Sequence, residues 1–135
     1  MLPDNIADAY NQRSDLIKQI CKEMYKLSSK INRGVVETST LSKEILNITG
    51  ENTIKVVELI RMDTLVTVYL NYSQKNLMIM TSSMYKATEI LSFEHLAVED
   101  FVTLLHTNGK IIWNLSEIEL ILNSLKLLQK QQAKK

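Results

Sequence analysis

The chain has 135 residues, 45% of them apolar and 23% charged, and a formal net charge of +1. That length suits one domain, residues 1–135, and the composition excludes a disordered chain, while the near-neutral charge gives no reason to expect a polyanionic partner. A single cysteine, Cys21, excludes an intramolecular disulfide framework and fits a reducing compartment, where it reads as a small buried hydrophobe. The N-terminus lacks a basic segment followed by an apolar run, and no stretch is long enough to span a bilayer. The expected setting is intracellular, cytoplasmic or nuclear, without membrane contact, and the sequons at Asn47, Asn71 and Asn114 are then silent.

Pro3 and Asp4 mark a helix start, and Ile6, Tyr10, Arg13, Ile17, Ile20, Met24, Leu27 and Ile31 follow at alternating steps of four and three. The spacing predicts a first helix over 4–32. Gly34 to Thr40 gathers poor helix formers, so a break is expected there and a second helix over 39–48, closed by Thr49 and Gly50.

From Glu51 to Leu91 there is neither glycine nor proline, and Val56, Leu59, Asp63, Val66, Leu70, Ser73, Leu77, Met80, Met84, Ala87 and Leu91 keep the same alternation. This predicts a helix over 51–91, either one rod of about 60 Å or two helices split at 71–76. A strand over Thr64 to Tyr72, where Val66, Val68, Leu70 and Tyr72 alternate, competes with it but lacks turn signals and a pairing strand. Arg13 and Asp63 interrupt the two seams, as residues at a wet seam edge or as register-setting polar positions.

Ser92 is read as the cap of a helix over 93–106, ended by Thr107, Asn108 and Gly109, with Lys110 to Trp113 extended. Ser116 and Glu119 read as a capping box, flanked by Leu115 and Leu120 at staple positions, opening a helix over 116–132 with the stripe Ile118, Ile121, Leu122, Leu125 and Leu128. The fold class expected from these elements is all-α: an elongated bundle or antiparallel helical hairpin with coiled-coil-like seams, plus a C-terminal helical pair.

Met62, Leu65, Tyr69 and Tyr72 form a second apolar stripe on the long helix, which makes them the candidate partner-binding residues. Met78, Met80 and Met84 add adaptable apolar surface, with core filling as the plainer reading. No phosphate-binding glycine loop, zinc-type Cys and His array or HExxH helix occurs, and no cofactor is expected. His95, Glu99 and His106 are the one metal-like set, which would support a helical-bundle enzyme or metal protein. The function expected is therefore a non-catalytic interaction or assembly subunit that associates through apolar helix faces with itself or with other helical chains. The alternative is a small nucleic-acid-associated regulator built on residues 96–128, whose last helix carries its lysines at the far end from where base edges are read.

Overall fold

The computed structural model describes residues 2–33, 41–86, 89–97 and 113–133. In chain order these make α1 (Leu2–Asn32), α2 (Lys43–Thr49), β1 (Thr53–Arg61), β2 (Thr64–Asn71), β3 (Asn76–Ser83), β4 (Ile90–Ala97) and α3 (Leu115–Ala133). The strands form one antiparallel sheet in the order β1-β2-β3-β4. The chain is α+β, which overturns the all-α bundle, the helical hairpin and the coiled-coil seams expected from periodicity.

The helix expected over 51–91 is three strands and the start of a fourth. The helix expected over 93–106 gives way to strand up to Ala97, and its remainder lies outside the described residues, as do Gly34 to Thr40 and Thr107 to Gly109. The physical reason lies in double burial. Six consecutive residues of β2, Val66 to Asn71, are buried, and so are six of β3, Leu77 to Ser82. A strand covered on both faces carries apolar side chains on both, here interrupted by the buried Thr67, Asn71, Thr81 and Ser82, so it satisfies a spacing of three and four as readily as one of two.

Its turns were equally silent. The β1–β2 loop is two residues, Met62 and Asp63, and the β2–β3 loop is four, Tyr72 to Lys75. Each needs a positive φ of the kind glycine or asparagine usually supplies. Here Met62 (φ 53°) and Lys75 (φ 56°) supply it. Asn71 steadies the second loop through its Oδ1, which accepts from the backbone N–H of Ser73 (3.1 Å) and of Gln74 (2.9 Å). Gly50 ends α2 at φ 100°, the terminating glycine that the sequence predicts, and its N–H donates to the Leu46 carbonyl.

One face of the sheet carries the main core. The register places Ile54, Leu70, Leu77 and Leu96 in one row across the strands and Val57, Val68 and Ile79 in the next. A bulge between Lys55 and Val57 adds Val56 to the same face, so that two neighbouring valines point inward. Against these rows pack Ile17, Ile20, Met24, Leu27 and Ile31 of α1 and Ile118, Ile121, Leu122 and Leu125 of α3. The α1 stripe from Ile17 to Ile31 and the α3 stripe from Ile118 to Leu125 are thus buried faces. Each such side chain taken from water contributes about 1.5–3 kcal/mol before conformational entropy is counted. Cys21 is half-buried at the edge of this core, and Arg13 sits half-buried on α1 as a seam-edge residue would.

The opposite face holds a smaller cluster. Tyr69, Met78 and Met80 are buried there with Phe93 beside them, and Leu41 and Ile45 cover them from the α2 side. Two of the three methionines singled out in the sequence are therefore core, while Met84 is exposed. Among the described residues, no helix is long and apolar enough to cross a membrane.

Candidate interaction surface

Helix α3 begins one residue earlier than expected, and its cap is a different pair. The Asn114 Oδ1 accepts from the Glu117 N–H (2.9 Å), and a Glu117 carboxylate oxygen accepts in return from the Asn114 N–H (3.1 Å). Asn114 and Glu117 are the capping box, with Trp113 and Ile118 as the flanking staple, both buried. Ser116 and Glu119, read as the box from the sequence, fall inside the first turns. Two overlapping S/N-x-x-E patterns stand side by side there, and burial of Trp113 decides between them.

Glu117 also receives Arg61, the last residue of β1, through two parallel bonds: Nε to Oε2 at 2.7 Å and a terminal nitrogen to Oε1 at 2.5 Å. The Arg61 guanidinium lies 5.0 Å from the centre of the Trp113 ring. Burial pushes the Glu117 carboxyl up, but the bonds from Arg61 and the Asn114 backbone, with the charge of Arg61, outweigh it and hold the group below its ordinary value. This joint ties the end of the sheet to the start of α3.

Beyond the joint the surface turns apolar. Register places Ile60, Leu65, Ser82 and Ile90 in the last row of the face opposite α1 and α3. Ile60 is 68% exposed, and Met62, in the adjoining turn, is 94% exposed. The segment after β3 folds onto that turn: the Met84 N–H donates to the Asp63 carbonyl (3.0 Å), and the Tyr85 hydroxyl donates to Asp63 Oδ1 (3.1 Å). Tyr85 and Leu91 are exposed alongside. Of the ten large hydrophobic side chains exposed among the described residues, Ile60, Met62, Met84, Tyr85, Ile90 and Leu91 share this end. Scattered exposed hydrophobes need no explanation, whereas a grouped set does.

A groove of ≈ 330 Å³ opens at the same end, with Arg61, Thr64, Thr81 and Ser92 among its lining and Met62 and Leu91 on it too. The Thr81 and Ser92 hydroxyls are hydrogen-bonded to each other at 2.5 Å. Its chemistry is mixed, with one cation, hydroxyls and thioether or aliphatic walls.

The four candidate residues from the sequence do not share one stripe. Met62 and Leu65 come together at the sheet end. Tyr69 points to the same face as Leu65 but is only 4% exposed, within the methionine cluster. Burial, then the charge of Glu58, push its hydroxyl pKa up against a hydrogen bond from Thr67. Tyr72 packs on the main core, on the other face. Sequence reasoning missed Ile60, Tyr85, Ile90 and Leu91, because only the fold brings them to the same end of the sheet as Met62. The available signal was the apolar excess flanking the turn at Asp63.

His95 is exposed on β4, with its ring edge-on to Phe93 at 4.8 Å. Glu99 and His106 lie outside the described residues. No group of three or more His, Cys, Asp or Glu able to hold a metal occurs among the described residues. In the segment 96–128 considered for nucleic acid, Leu96 and Ala97 are strand and 98–112 lie outside the described residues. Comparison with known proteins finds no matching family model, no similar curated protein and no similar solved structure.

Proposed function

We propose that this chain is a non-catalytic interaction or assembly module, which binds another protein chain or a second copy of itself through the apolar end of its sheet. One observation carries the reading: Ile60, Met62, Tyr85, Ile90 and Leu91 are all exposed at one end of the sheet, where Met62 and Leu91 also line a groove and a hydrogen bond to Asp63 holds Tyr85. Large apolar and aromatic anchors in such a setting supply most interface energy. Helix faces, the surface expected from the sequence, are occupied by this protein's own sheet.

Met62 sharpens the point. A non-glycine residue at φ 53° is held in a backbone region that costs about 1–2 kcal/mol, and its side chain is almost wholly in water. Glycine there is expected to raise stability by about 0.5–1 kcal/mol, the strain relieved less the extra freedom of the unfolded chain. Association should weaken at the same time. Urea unfolding reads the first effect and light scattering at several concentrations reads self-association.

A photo-crosslinking residue at Tyr85 or Leu91 is expected to capture a defined chain in the native source, with no such product from the same residue at Asn11. Aspartate at both Met62 and Leu91 should abolish that product while leaving the circular dichroism spectrum unchanged. Identical crosslinks from all three positions, or an association untouched by the two aspartates, would end the proposal.

A further inference from the structure

The net charge of +1 conceals a separation of charge. On α1, Lys18, Lys22, Lys26 and Lys30 recur every fourth residue, so their side chains climb the helix in steps of about 6 Å. Where α1 meets α3, Lys30 is joined by Lys126 and Lys130 around a crevice of ≈ 270 Å³ that also includes Glu23 and Gln129.

The floor of that crevice is rigidly bonded. The Gln129 amide nitrogen donates to Glu23, to Oε2 at 2.6 Å and to the backbone carbonyl at 3.3 Å, while its oxygen accepts from Lys30 Nζ at 3.4 Å. Glu23 is further engaged by Lys26 at 3.8 Å. Its single charge is thus already shared, and among the described residues no carboxylate is paired with Lys126 or Lys130. Three ammonium groups around one committed carboxylate leave a positive field at the mouth.

We infer that this crevice is a docking site for an acidic segment of a protein partner. Charge complementarity selects the sign, and the near-neutral net charge of the chain favours a short acidic segment over an extended polyanion. The lining cations are lysines, compact point charges that suit single carboxylates at helical-turn spacing, and no arginine fork suited to a phosphate lines the crevice.

The inference stands apart from the apolar sheet end. Glu117, at the joint beside that end, and Gln129 are twelve residues apart on α3, about 18 Å along its axis.

The test uses the full chain and a fluorescent oligoglutamate peptide, read by anisotropy at rising salt. Binding is expected at low ionic strength and should fade as salt screens it. The triple change Lys30→Glu, Lys126→Glu and Lys130→Glu should weaken it by about tenfold or more. An equal change of charge elsewhere, Lys43→Glu, Lys55→Glu and Lys86→Glu, should leave it within about twofold. The milder pair Lys126→Gln and Lys130→Gln, at two exposed positions, should give an intermediate loss in a folded protein. Absence of binding at low salt, equal loss in both triple variants, or tighter lysine-dependent binding of duplex DNA or phosphatidylserine vesicles than of the peptide would overturn the inference. Aspartates at Met62 and Leu91 should leave peptide binding unchanged, so the two surfaces fail or succeed independently.

Discussion

Replacing Trp113 with alanine is expected to lower the unfolding free energy by about 3–5 kcal/mol, the cost of emptying a large aromatic site in a packed core. The ring is 1% exposed, staples the first turn of α3 against Ile118, and lies under the Arg61 guanidinium. Collapse around the void is restricted, because α3 packs on α1 and the sheet at the same time. Phenylalanine should recover part of the loss, since it keeps an aromatic face for Arg61 and most of the buried area. Denaturant melts followed by circular dichroism measure both, as the chain has one tryptophan and the variants lose that fluorophore. A change below about 1 kcal/mol for alanine would mean that Trp113 is not part of the core.

Glu117→Ala should cost about 2–4 kcal/mol, because the substitution strands a half-buried Arg61 and removes the reciprocal cap of α3. The pair is 26% and 15% exposed at its side chains, sheltered enough to exceed an ordinary surface bridge. A double-mutant cycle with Arg61→Ala is expected to give about 1–3 kcal/mol of coupling. The pH dependence has a defined sign. Glu117 has a folded pKa below its ordinary value, so its contribution is complete above that ordinary value and is lost as pH falls through the folded one. The advantage of the native chain over Glu117→Gln should therefore hold near neutrality and disappear on acidification. An advantage that survives unchanged in acid would assign it to packing instead.

Loss of this joint should also reach the proposed interaction surface. Arg61 immediately precedes the Met62–Asp63 turn, and that turn positions Met84 and Tyr85 through Asp63. The rigidity of the apolar end thus depends on an ion pair whose other half lies more than fifty residues later.

How far the sequence could be read depended on how many faces each segment buries. α1 and α3 bury one face each, so Ile17 to Ile31 and Ile118 to Leu125 stand out against lysines and glutamates. Gly50 and the end of α2 were legible for a local reason, since a positive φ strongly favours glycine. β2 and β3 bury both faces, and their turns are made by Met62 and Lys75 in conformations that those residues do not advertise. A period of two is hidden where apolar side chains stand on both faces of a strand.

The proposed interaction surface was legible only in part, for a related reason. Met62 and Leu65 come together at the sheet end, yet the helical geometry expected for them drew in Tyr69 and Tyr72, which the strand sends to different cores. Ile60 and Ile90 are thirty positions apart, on the two edge strands, and share one row only through the pairings Ile60 with Leu65, Leu65 with Ser82 and Ser82 with Ile90.

By itself the sequence determined two amphipathic helices, the glycine stop after α2 and an apolar middle that must be covered, because these follow from short-range spacing and backbone preference. Tertiary structure alone decided that the middle is a sheet, that Asn114 rather than Ser116 caps α3, and that lysines of α1 and α3 share one crevice. Each of those outcomes depends on contacts between residues far apart in the chain, and local propensities of a few tenths of a kcal/mol yield to burial worth several.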